Sequence, residues 1–228
     1  LRAAVEMGFY HVKEMQRDSS LRALHADPRW LQLVGEAERR WALYDHALRE
    51  ELLALAKQDQ RNRVGIDSIF NRYGAGSPQV DSANARLSAA DAPLLTRVKE
   101  IIAERGWPSR RLVAVDGANA AWLIVQHAPV EYQRQVLHLL QAAVQSGEAK
   151  ASDAALLEDR VLVADGKPQL YGSQMRWPEG VGDAPVLEPI ADEACVDRRR
   201  ASVGLMPLAD YLRPFGVVYA GPPGVCPE

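Results

Sequence analysis

Between Asp91 and Gly166 the sequence repeats one arrangement, an apolar stripe at helical spacing closed by glycine or proline. Leu94, Leu95, Val98, Ile101 and Ile102 recur at the three- and four-residue intervals that bring side chains to one face of a helix. Asp91 reads as the cap of that segment, with Pro93 near its start and Gly106 and Pro108 ending it. Asp116-Gly117 opens a second segment that runs through Trp122, Leu123, Ile124 and Val125 to Pro129. Val136, Leu139, Leu140, Ala143 and Val144 form a third stripe, closed by Gly147. Ser152 starts a fourth, SDAALLEDRVLVAD, closed by Gly166. This spacing predicts helix in most of residues 93–105, 117–127, 131–146 and 153–165. Strand character appears only afterwards. KPQLYGSQMRW is short and aromatic, and APVLEPI can pair with it around the EGVGD turn. The fold class is therefore mainly α, a helical domain with one small β-hairpin, preceded by a helix pair.

That preceding pair occupies the N-terminus. Val5, Phe9 and Val12 share a helical face, and Asp27-Pro28 starts a second helix carrying Trp30, Leu31 and Val34. The stretch AAVEMGFYHVKEMQRDSSLRALHADPRWLQLV resembles the closing part of bacterial tetratricopeptide-type helical repeat proteins. Three units are expected: a repeat-like tail over 1–40, a helical domain over 41–215 and an irregular tail over 216–228. Residues 71–90, rich in Gly, Ser, Ala and Asn, read as a loop or linker. A helix from Trp41 carries the stripe Leu48, Leu52 and Leu55, and Asp59 falls in the middle of that stripe.

Composition narrows the partners. The formal charge is −3 and the pI about 6.0, which leaves no basic field for nucleic acid. Arg198-Arg199-Arg200 reads as the exposed side of a helix. No apolar run reaches the roughly 18 residues of a membrane span. Two cysteines, Cys195 and Cys226, exclude a four-cysteine zinc site and allow one disulfide. In a chain of 228 residues their scarcity favours a reducing, cytoplasmic setting. The chain begins at Leu1, not Met, and already in helical pattern, so it is expected to be cut from a longer protein. A protein partner is expected through the N-terminal repeats, and a small molecule or peptide through the domain.

The candidate site residues are polar pairs at the ends of apolar segments. Asp59 and Arg63 stand four apart, a carboxylate and a guanidinium on one helical face. A charge there must be paired or must face a wet cavity. Gln126 and His127 end the WLIVQHAP run, and a neutral imidazole can exchange a proton near pH 7. Asp159 and Arg160 lie in a helix that is apolar nearly all round, so each needs a partner from elsewhere. Tyr171 and Gln174 flank Gly172 and Ser173, where the backbone can be approached closely.

As a set, KQDQRNR, GWPSRRLV, AAWLIVQHAP, LLEDRVLVADGKPQLYGSQ and VDRRRASVGLMPLADYL resemble a bacterial domain family of unknown function. Its members show D-Q-x-x-R, G-W-P, Q-H-A, D-R, Q-x-Y-G-T-Q and V-D-x-R-R in this order. The likeness spans about residues 48 to 213, and Ser173 keeps the hydroxyl where the family usually has Thr. It points to Asp59, Gln60, Arg63, Gln126, His127, Asp159, Arg160, Gln169, Tyr171 and Gln174, and implies a site without naming a reaction or a cofactor.

No P-loop, dinucleotide fingerprint, G-x-S-x-G or H-E-x-x-H occurs. Asp59, His127 and Asp159 are too scattered for a metal motif, and no metal site is expected. Three readings stay open. In the first, a hydrolase-like enzyme uses His127 as general base and Asp159 to orient it, with Arg63 or Arg160 holding an anion. In the second, the same groups bind a ligand without chemistry. In the third, they are structural ion pairs. The geometric expectation common to the first two is that His127, Asp159 or Arg160, and Tyr171 or Gln174 line one concavity.

Overall fold

The computed structural model describes residues 1–6, 9, 11–180, 184–221, 224 and 226. Two short helices, α1 (Arg2–Glu6) and α2 (Val12–Arg17), precede α3 (Pro28–Ala42). Asp27 caps α3 by accepting from the Arg29 N–H, and Pro28 takes the first helical position. Val5, Val12, Met15, Trp30, Leu33, Val34 and Ala37 bury their own small core. Three residues of the expected first helix, 7, 8 and 10, lie outside the described residues.

The helix expected from Trp41 is divided. The chain turns after α3, and Asp45 caps α4 (His46–Asn62) by accepting from Leu48 N–H. Next come α5 (Ile66–Tyr73), α6 (Pro78–Arg105), α7 (Arg110–Gln126), α8 (Val130–Gln145) and α9 (Ala151–Ala164). The loop expected at 71–90 is largely helix. Ser77 caps α6 with Pro78 behind it, and the alanines that follow are strong helix formers. Asp91 is therefore not a cap. It stands inside a 28-residue helix that runs through Pro93.

The break expected near Asp116 is real but internal to α7. Val113 and Ala114 leave the helical region, with Ala114 at φ 58°. The turn brings Val113 back over Gly117, where a Cβ would lie 2.9 Å from Val113 Cβ. Asp116 is thereby presented to the buried Arg49 of α4, whose Nε donates to Asp116 Oδ1 at 2.9 Å. Small side chains (Ala118, Ala121) and Val125 on α7 pack against Leu48 and Leu52 of α4 in the main core, which α6, α8 and α9 complete with Val98, Ile101, Leu140 and Leu157.

After α9 the chain forms the hairpin, β1 (Met175–Arg176) antiparallel to β2 (Val186–Leu187). Residues 181–183 of the expected EGVGD turn lie outside the described residues. Two helices, α10 (Val196–Ser202) and α11 (Leu208–Leu212), close a third small core of Val196, Leu208 and Leu212. Arg199 and Arg200 are not a solvent face. Arg199 Nε donates to Leu170 O, and Arg200, 1% exposed, donates to Met206 O and Tyr171 O. Cys195 and Cys226 are joined as a disulfide, the pairing that their number allowed. The architecture is mainly α with one small hairpin, and among the described residues no helix is long and apolar enough to cross a membrane.

Candidate functional site: a cleft at the end of α7

The C-termini of α4 and α7 meet. Asp59, one turn from the end of α4, has 1% of its side chain exposed. Its Oδ1 lies 2.8 Å from Arg63 Nη1 and 3.1 Å from His127 Nδ1, and its Oδ2 accepts from Gln60 Nε2 at 2.9 Å. Arg63 continues to α6, donating to Asp91 Oδ2 at 2.7 Å, and Asn62 Nδ2 donates to Asp91 Oδ1 at 3.0 Å. Burial works to raise the Asp59 carboxyl. The hydrogen bonds from His127 and Gln60, with the charges of His127 and Arg63, outweigh it, so the group lies below its ordinary value.

That ionised carboxylate fixes the imidazole. A carboxylate only accepts, so His127 Nδ1 carries the proton toward Asp59, and in the neutral imidazole it is then Nε2 that keeps a lone pair. Among the described residues Nε2 has no hydrogen-bond partner, and the His127 side chain is 25% exposed. The ring lines a cleft of about 560 Å³, a volume suited to a small-molecule ligand. Asn84, Leu87, Ser88, Asp91 and Leu95 of α6 form one wall. They recur at helical spacing, so one face of that long helix points into the cleft.

The floor is the C-terminus of α7, whose last carbonyls need donors. Gln133 of α8, 1% exposed, donates to Gln126 O at 2.9 Å and to Ala128 O at 2.8 Å. Arg160 of α9 donates from Nη1 to the same Gln126 O, and from Nε to Gln174 Oε1 at 3.4 Å. An apolar helix can end in Gln126-His127 because two neighbouring helices supply donors to its terminal carbonyls.

Cleft and hairpin divide the sequence candidates. Asp59, Arg63, Gln126, His127 and Arg160 line the cleft, and Gln60 supports Asp59. Asp159 does not meet His127. Its carboxylate is fully buried and accepts from Leu170 N, Tyr171 N, Ser173 N and Ser173 Oγ at 2.7 to 3.2 Å. The partner expected at Asp159 is thus Asp59. The reason is register: Asp159 precedes Arg160 by about 100° around α9, and points to the 170–173 loop when Arg160 points to α7. Gln169, 0% exposed, pins the same loop by bonding Gln174 N, Gln174 O and Glu188 O. Tyr171 contributes its backbone N–H to Asp159 and is absent from the cleft wall; Gln174 reaches the cleft only through Arg160. Sequence reasoning missed Asp91 and Gln133. Asp91 shares a helical face with Leu87 and Leu95, a signal hidden by the linker-like composition around it.

Among the described residues no group of three His, Cys, Asp or Glu side chains is placed to hold a metal ion. The profile of a family of unknown function (DUF6624) matches residues 46–221, from the start of α4 to beyond α11, and the chain belongs to that family. No curated protein and no solved structure matches the chain.

Proposed function

We propose that the chain is a hydrolase-like general acid–base enzyme acting on a small molecule or peptide, with His127 as its base. The observation that carries this is the Asp59–His127 pair: a buried carboxylate holds Nδ1, and Nε2, without a hydrogen-bond partner among the described residues, belongs to a ring that lines a cleft. In the reaction Nε2 takes the proton of a water as its oxygen adds to an electrophilic carbon or phosphorus. It returns that proton to the departing atom. Asp59 stabilises the imidazolium formed in between, and Arg63 holds Asp59 in place. The test is a panel of nitrophenyl esters, phosphate esters and short peptides, assayed with the parent and with His127→Gln. Turnover by the parent and its loss in the variant are expected. A panel on which the parent never exceeds His127→Gln sinks the enzymatic reading.

The second reading, a ligand-binding module without chemistry, draws support from the chain Asp91–Arg63–Asp59–His127, in which each charged group already has a partner within the protein. As to compartment, the joined Cys195 and Cys226 support an oxidising one over the cytoplasm. Alkylation of freshly isolated protein reads this directly: blocked thiols are expected, and two free thiols would return the chain to the cytoplasm.

A further inference from the structure

Among the described residues, one cation of the cleft has no carboxylate partner. Asp59 is answered by Arg63 and His127, and Asp91 by Arg63 and Asn62. Arg160 makes no ion pair among the described residues. Its partners are an amide oxygen of Gln174 and the carbonyl of Gln126. Burial lowers its pKa, yet an arginine stays charged in any protein. Removing a guanidinium from water without a counter-charge is unfavourable, and such a group binds an oxyanion more strongly than an exposed one does. Nε and Nη1 are engaged, which leaves Nη2 without a bond among the described residues.

Its position gives the cation a purpose. Nη1 grips the carbonyl of the residue before His127, and both side chains line the same cleft. The same cleft is lined by the apolar side chains of Leu87, Leu95, Ile124 and Val130. We propose that the ligand of this cleft is amphiphilic: a carboxylate or phosphate bound by Arg160, with an apolar body against Leu87, Leu95, Ile124 and Val130. Where the first proposal holds, the bond to be cleaved lies between them at His127 Nε2, and this part alone rests on that reading.

The test is binding, not turnover. The full chain is titrated with acetate, butyrate and hexanoate, and separately with inorganic phosphate and butyl phosphate, following the arginine Nε–H signals by NMR. The Arg160 signal is assigned by its absence in Arg160→Lys. Saturable displacement of that signal is expected, with affinity rising at least about tenfold from acetate to hexanoate, and up to about two hundredfold if all four added methylenes are buried. Arg160→Gln should lose at least about tenfold, as for a charged hydrogen bond, while Arg29→Gln, an exposed arginine of α3 outside the cleft lining, stays within about threefold of the parent. The two series separate the carboxylate from the phosphate source. An Arg160 signal unmoved by either series overturns the proposal without need of the glutamine variant, which guards against its failing to fold. Affinity independent of chain length overturns the apolar half. Arg160-dependent binding with no turnover on the ester panel removes the enzymatic reading and leaves this one; turnover with an unmoved Arg160 signal does the reverse.

Discussion

His127 Nδ1 stands 3.1 Å from Asp59 Oδ1, a contact between side chains 68 residues apart in the chain. It joins the ends of two helices that pack along their lengths, α4 and α7, and Asp59 is the buried member. Removing a buried carboxylate strands its donors, here Arg63, Gln60 and His127. Asp59→Ala is expected to lower unfolding stability by about 1–3 kcal/mol. Urea unfolding at neutral pH checks it. A midpoint equal to the parent's would mean that Asp59 is solvated.

The same carboxylate gives a pH dependence. Its folded-state value lies below the ordinary 3.8, so the unfolded chain takes up the proton first as the pH falls. The stability it contributes is complete above the unfolded value and is lost as the pH drops through the lower, folded one. Below about pH 4 the parent should lose stability faster than Asp59→Asn, whose side chain does not titrate. Thermal melts across pH 2 to 5 compare the slopes; parallel curves would refute the coupling.

Asp159 is the keystone of a different structure. Three backbone N–H groups and one hydroxyl converge on it from residues 170–173. Asp159→Ala leaves all of them without an acceptor beneath a buried loop, and is expected to cost about 3–5 kcal/mol. Ser173→Ala removes one bond of the set and should cost about 1 kcal/mol. If the two variants unfold at the same denaturant concentration, the carboxylate is not what orders the loop.

The helices of the domain were legible because period and punctuation agree. The stripes of α8 and α9 end at Gly147 and Gly166, where the chain does turn left-handed. Residues 78–90 were illegible because Gly-Ser-Pro marks a loop in composition, yet Ser77-Pro78 is also how a helix starts. The Asp59–Arg63 pair was legible from its place on the stripe. Its third member was not, since nothing in one sequence says which of two acidic residues lies near His127. Asp159 belonged to the same recurring motif set, but its role is to hold the loop that the Y-G-S-Q residues build.

Gly172 is needed for two independent reasons. Its φ is 69°, in the left-handed region, and an added Cβ would lie 2.9 Å from Leu208 Cδ1 and 3.0 Å from Ile190 Cδ1. Strain and overpacking act in the same direction, so Gly172→Ala should destabilise by about 1–3 kcal/mol. Relief by the double variant Gly172→Ala with Leu208→Ala would show up as a coupling in a double-mutant cycle. Purely additive effects would leave backbone strain as the whole cause.

The Cys195–Cys226 disulfide closes 31 residues of chain at the edge of the α10–α11 core. Residues packed there include Val217 and Tyr219, and the Tyr219 hydroxyl donates to Glu193 Oε1 at 2.9 Å. A cross-link over a loop of this length stabilises by about 2–4 kcal/mol, chiefly by restricting the unfolded chain. Reduction should therefore lower the melting temperature. None of the residues that line the cleft belongs to this segment; they come from α4, α6, α7, α8 and α9 and the turn after α7. Below its lowered melting temperature the reduced protein should consequently keep the same imidazole NMR signal for His127 and the same response of Arg160 to added anion. A shift of the His127 signal on reduction, with the chain still folded, would show that the tail and the cleft are coupled. An unchanged melting temperature would show that the tail gains its order from packing alone.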